Sequence, residues 1–291
     1  MTNADDFADT QKNTSYFYDK KHFQTALKRP SRSIMRRLVI NADDFALTDG
    51  VCRGILQAME HGLVTATTAM TRPAGAADRI AAHAAALRGR LGIHFQLTGG
   101  HVPCLPPEEI PSLVTAEGVF AKKRMDIGQA APDEIRREWR AQLDVFRASG
   151  ATPSHMDSHH HVHKRPDVFP VYLEFARELG IPARATNPAM AAALRGAGAV
   201  CADAFITGFF GEDLRVERFL ALVREAFAAL PDTAVVELMC HPGYADPELA
   251  GISTYHQARE REIAVLTSPE AARGLAAMGV ALAGPEAVAR P

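Results

Sequence analysis

The sequence predicts a single α/β domain over residues 36–291, folded as a distorted (β/α) TIM-like barrel. Three observations predict it. Short apolar runs rich in β-branched residues alternate with amphipathic stretches of helical period along most of the chain. None of those runs leads into a Gly-x-Gly-x-x-Gly turn, which argues against a dinucleotide-binding sheet. The unusual polar residues fall at the C-terminal ends of the apolar runs, where barrel enzymes carry their chemistry.

Taken in order, residues 1–35 are polar and without hydrophobic period, and read as a flexible extension. They contain a decoy, because Asn3-Ala4-Asp5-Asp6-Phe7-Ala8 repeats as Asn41-Ala42-Asp43-Asp44-Phe45-Ala46. Only the second copy follows a strand-like run, Arg37-Leu38-Val39-Ile40. A helix capped by Thr48 or Asp49 runs to about Glu60, with Val51, Ile55, Leu56 and Met59 on one face and Gly62 at its end. A strand at 63–70, a helix at 75–87 and a strand at 90–97 follow. The proline-rich stretch 101–130 reads as a long loop excursion of the functional kind. Helices are expected at 132–148, from Pro166 or Phe169 to Leu179, and at 215–230, 256–266 and 269–278. Short strands are expected at 182–185, 203–207 and 234–240.

Composition narrows the function classes. The chain has 291 residues, 47% of them hydrophobic and 23% charged, with a formal net charge of -2, so no basic excess points to nucleic acid. The 4 cysteines are scattered without Cys-x-x-Cys spacing, which fits a reducing compartment. No apolar run is long enough for a membrane span, and Asp5, Asp6 and Asp9 are unlike a secretory signal, so a cytoplasmic protein is expected. A homodimer is compatible with the sequence.

The chemistry concentrates between Ser154 and His163, where His155, His159, His160, His161 and His163 surround Asp157. Pro153 and Pro166 argue against a continuous helix, so a strand is expected. On a strand His155, Asp157, His159, His161 and His163 share one face for as long as it runs. Imidazole with carboxylate offers metal ligation and proton transfer. A solvated polar loop would carry the same residues, but Asp43-Asp44, His94 and His241 also sit at strand ends and would point into the same mouth. Helix capping accounts for one of Asp43 and Asp44 and for none of the histidines.

Over residues 36–285 the chain resembles the YdjC-type carbohydrate deacetylases, which include chitooligosaccharide deacetylases. The resemblance rests on Asn41-Ala42-Asp43-Asp44-Phe45, Gly92-Ile93-His94-Phe95, His155 to His163, and Met239-Cys240-His241-Pro242. It implies a barrel related to the NodB-like polysaccharide deacetylases and one divalent metal ion, magnesium or zinc, held by Asp44, His94 and His159. Asp43 then becomes the base and His241 the candidate acid. The substrate implied is an N-acetylated amino-sugar oligosaccharide that releases acetate. His155, Asp157, His160, His161 and His163 would support the ligands or pack behind them. Arg184 could orient a carboxylate, contact sugar or form a surface ion pair. Phe209, Phe210 and Tyr244 could stack on sugar or belong to the core. The family usually has glycine where this chain has Ala46, so a turn of positive φ would be strained there. Three rival readings remain: a deacetylase of lipid-linked glucosamine of the hopanoid type, a non-haem Fe(II) oxygenase, and a metal-dependent sugar-binding protein without catalysis.

Overall fold

The computed structural model describes residues 35–289, so the expected arm and its Asn3–Ala8 decoy lie outside the described residues, residue 35 apart. The molecule is built round β1 (Arg36–Phe45), which is longer than the apolar run that announces it and includes the Asn41–Phe45 motif. Along one edge β1 pairs in parallel with β6 (Val235–Cys240). Along its other edge it pairs first with β7 (Val280–Leu282) and then with β2 (Ala66–Ala69). β3 (Leu91–Phe95) and β4 (Met156–Ser158) extend the sheet past β2, and β5 (Ala204–Ile206) extends it past β6. Every pairing is parallel.

Side chains from strands far apart in this order meet one another, so the sheet is curled into a barrel. Arg184, beside the β4 edge, reaches Asp43 on β1, Asp157 on β4 and Glu237 on β6. Its guanidinium also lies over the Phe205 ring of β5 at 4.9 Å. The expected TIM-like barrel is therefore present in distorted form, with seven named strands among the described residues.

The connecting helices are α1 (Asp49–His61), α2 (Ala76–His83), α3 (Pro132–Ala148), α4 (Phe169–Leu179), α5 (Pro188–Gly196), α6 (Val216–Phe227), α7 (Pro247–Ile252), α8 (Gln257–Leu266) and α9 (Pro269–Ala277). Thr48 caps α1 by accepting the Val51 N–H, and Gly180 ends α4 in the left-handed region at φ 62°. Trp139 of α3 is fully buried and stacks on Phe95 of β3 at 4.8 Å, closing the core between helix and sheet. The loop at 101–130 is pinned to α3, whose buried Glu138 accepts the Cys104 and Leu105 N–H groups. No described helix is long and apolar enough to cross a membrane.

Two expectations change. The histidine tract is a strand only through Ser158. His159–Lys164 then forms a tight turn, with His160 and His161 at φ 52° and 49°. Ser158 closes that turn by accepting the His163 N–H at 3.2 Å. Period-two alternation therefore holds for His155 and Asp157, which face the barrel interior, and lapses beyond them. The strand expected at 182–185 contracts to one bridge between Ala183 and Met156. Helices α5 and α7 and strand β7 had no counterpart in the sequence reading. Both helices carried a readable start, because Asn187 and Asp246 cap them with proline at the next position.

Candidate metal and catalytic site

In a regular strand Asp43 and Asp44 would point to opposite faces. Here the β1–β2 register slips between Ala42 and Phe45, and Asp44 adopts φ 70°. Such an irregularity re-aims side chains, and both carboxylates line one cavity of about 770 Å³ at the C-terminal mouth of the barrel. Ala46, two residues on, sits at φ 69°, so the glycine-like turn anticipated from the motif is real and an alanine occupies it.

Three atoms form a near-equilateral triangle at the cavity floor. Asp44 Oδ1 lies 3.1 Å from His159 Nδ1 and 3.4 Å from His94 Nε2, and the two imidazole nitrogens are 3.4 Å apart. Ligands about 2.0–2.2 Å from one ion stand roughly 3 Å from each other, so the triangle suits a small divalent cation. The second atoms of His94 and Asp44 are engaged behind it. Asp157 Oδ1 accepts a hydrogen bond from His94 Nδ1 at 2.6 Å, which turns Nε2 towards the other two atoms. Arg259 Nη2 donates to Asp44 Oδ2 at 2.7 Å. Burial would raise Asp44, but Arg259 and His159 outweigh it and hold the carboxyl well below its usual range. Burial would lower His94, and Asp157 overrides that, raising it to about 10.

Asp43, His94 and Asp157 form a second cluster of close donor atoms. A cation already occupies it. Arg184 grips Asp43 with both Nη atoms at 2.7 Å, lies 2.8 Å from Asp157 Oδ2, and donates from Nε to Glu237 at 2.7 Å. Arg184 is thus a buried carboxylate-orienting group, one of the roles left open by the sequence. Asn41 adds a bond to Asp43 Oδ1 at 2.8 Å. Burial pushes Asp43 up, the guanidinium pushes it down further, and the carboxyl ends well below the usual range.

The opposite wall carries His241, whose ring sits 5.4 Å from Phe210 and 5.9 Å from Tyr255. Burial lowers His241 to about 4. Of the other residues named from sequence, His160 and His161 line the cavity, and His160 stacks on His159 at 3.8 Å. His155 bonds Asn41 Oδ1 inside the barrel at 2.7 Å, and His163 stacks on Tyr172 away from the cavity. Phe209 is fully buried against Phe219, whereas Phe210 is half exposed on the cavity wall. Tyr244 is partly exposed and does not line the cavity.

Sequence reasoning missed Arg259, Glu262 and Glu237. A glutamate inside the apolar run Val235-Val236-Glu237-Leu238-Met239-Cys240 was a readable signal. Arg259 and Glu262 belong to a helix with ordinary charge pattern, and only packing shows that both are buried.

Comparison with known proteins places the chain in a family. Residues 37–277 match the family described as YdjC-like protein. A carbohydrate deacetylase from Geobacillus stearothermophilus is 39% identical over 249 residues, covering 85% of this chain and 96% of that protein. A chitooligosaccharide deacetylase from Serratia marcescens is 36% identical over 255 residues, covering 84% and 96%. A crystal structure from Enterococcus faecalis V583, provisionally described as a cellobiose-phosphate cleavage protein, superposes with a TM-score of 0.80 at 32% identity, covering 87% of this chain and 98% of that one. By sequence, by fold and by the four motifs that meet at the barrel mouth, the chain belongs to the YdjC-like protein family.

Proposed function

We propose that this protein is a metal-dependent carbohydrate deacetylase that hydrolyses the N-acetyl group of a chitooligosaccharide-type amino sugar and releases acetate. The observation that carries the reading is the Asp44–His94–His159 triangle with the Asp43 carboxylate beside it on the floor of an open cavity. The names of the Geobacillus and Serratia relatives supply the substrate class. A divalent ion of the magnesium or zinc kind, held by Asp44, His94 and His159, would polarise the amide carbonyl and acidify a water.

The chain's own residues do the rest. Arg184 and Asn41 fix Asp43 in the ionised form and aim it at the attacking water, whose proton it accepts. The pairing keeps Asp43 ionised and makes it a weak base. His241 enters neutral. Negative charge gathering on the amide raises its proton affinity, so it takes a proton from the open cavity and passes it to the leaving nitrogen. The proton on Asp43 returns to solvent as acetate departs. Two histidines and a carboxylate also serve Fe(II) oxygenases, but a paired acceptor and donor of protons suits hydrolysis.

Acetate release from a panel of N-acetylated amino sugars, before and after chelation and metal return, tests the reading. Release that chelator abolishes and metal restores is expected. A metal-loaded protein that frees no acetate from any of them overturns it.

A further inference from the structure

We infer that Phe210 and Tyr255 form the platform for the sugar ring adjoining the one that is deacetylated, and that buried Glu262 fixes this platform relative to His241. The inference rests on the deacetylase reading and extends it to the length of the substrate.

Phe210 is a large aromatic side chain left 50% exposed on the cavity wall. One face of its ring is stacked on Tyr255, with centroids 4.1 Å apart and planes at 24°, so the opposite face is the one available to a ligand. The His241 ring stands edge-on to it at 5.4 Å, which puts the platform next to the group that meets the leaving amine. The loop carrying Phe210 turns on glycines: Gly211 has φ 97°, and a Cβ on Gly208 would meet Leu222 at 2.9 Å.

A tether behind the rings sets their position. The Tyr255 hydroxyl donates to Glu262 Oε1 at 2.5 Å and accepts the Gly211 N–H at 3.3 Å. The other oxygen, Glu262 Oε2, accepts the His241 N–H at 2.5 Å. One fully buried carboxylate therefore joins the end of β6 to the aromatic pair and to the Phe210 loop. Arg259, one turn earlier on α8, holds Asp44. A single helix thus spaces the platform from both the ligand triangle and His241.

The chemistry of the wall selects the occupant. A pyranose presents one flat face of C–H groups and a rim of hydroxyls. The platform offers a flat apolar face, and Lys122, Lys123 and Lys164 line the same cavity as hydrogen-bond donors. An acyl chain would want an apolar channel shut from water, and this cavity is open and edged with cations.

The test compares N-acetylglucosamine with di-N-acetylchitobiose on metal-loaded wild type, Phe210→Ala, Glu262→Gln and Tyr255→Phe, reading kcat/KM for acetate release and calorimetric affinity. Wild type should prefer the disaccharide. Phe210→Ala should cut that preference by about tenfold, the worth of one aromatic stacking contact. Glu262→Gln, which can accept only one of its two hydrogen bonds, should cut it through kcat more than KM while metal content holds. Tyr255→Phe keeps the ring and loses the tether, so it should resemble Glu262→Gln. Variants that slow both substrates equally overturn the inference and leave the deacetylase reading standing. A wild type that frees no acetate but binds the disaccharide through Phe210 overturns the deacetylase reading and leaves Phe210 only as a sugar-binding platform. A wild type that does neither overturns both.

Discussion

Asp43 and Asp44 are neighbours in sequence with opposite electrostatic partners. Arg184 clamps both oxygens of Asp43, whereas Arg259 takes only one oxygen of Asp44 and leaves the other facing the histidines. Under the proposed mechanism this division would give proton transfer to the first and metal ligation to the second. Asp43→Asn keeps the shape and removes the proton acceptor, so acetate release should fall by roughly a hundredfold or more with metal content unchanged. Parallel loss of metal would make Asp43 a ligand, and retained turnover would make it structural. Ala46 makes a separate prediction. A non-glycine residue in the left-handed region costs roughly 1–2 kcal/mol, and glycine there gives back roughly 0.4–1 kcal/mol through the unfolded chain. Ala46→Gly should therefore stabilise the protein by about 0.5–1 kcal/mol in urea unfolding. A clear destabilisation would mean that the buried Ala46 methyl group packs well enough to offset the strain.

At the scale of elements, the turn after β4 decides which histidine stands beside Asp44 and His94. A strand continuing past Ser158 would keep His159 and His161 on one face, but the turn leaves His159 alone beside Asp44 and His94. Asp44→Ala, His94→Ala and His159→Ala should each strip the purified protein of most of its metal, whereas His160→Ala, which loses only a stacking neighbour, should retain it. Metal analysis of the four variants checks this, and a metal-free His160→Ala protein would contradict the ligand set. The motifs were legible here because the candidate ligands lie at or just after strand ends that the sequence marks. The supporting charges were not, because Glu237, Arg259 and Glu262 meet their partners across the barrel.

Across the whole molecule, enclosed imidazoles should make the protein acid-sensitive. Burial is the first cause that lowers His155 to about 4, His161 to about 3, His241 to about 4 and His163 well below its usual value. Their folded pKa values are depressed, so the unfolded chain binds more protons as pH falls below about 6.5. Stability is therefore full above that value and is lost as pH drops from about 6.5 towards 4. His94, raised to about 10, stays protonated in the folded state and opposes this slope near pH 6.5, where the unfolded ring titrates, but adds nothing well below it. For chelator-treated protein, urea unfolding between pH 7 and 4 should show a slope of more than one proton, each worth about 1.4 kcal/mol per pH unit. A flat profile would mean that these rings protonate without unfolding the barrel.

By itself the sequence determined the alternation of strands and helices, the position of the motifs at strand ends and the identity of Asp43, Asp44, His94, His159 and His241. The alternation and the strand ends follow from local periodicity, caps and breakers, which act between residues close in the chain, and the roles of those five residues were implied by the family resemblance. Only the tertiary structure decided that Arg184 is buried among Asp43, Asp157 and Glu237, that Arg259 and Glu262 stand behind the site, and that β7 shares an edge of β1. Such contacts join residues far apart in sequence, and their worth depends on burial, since a guanidinium on the surface and one enclosed by three carboxylates look alike in a string of letters.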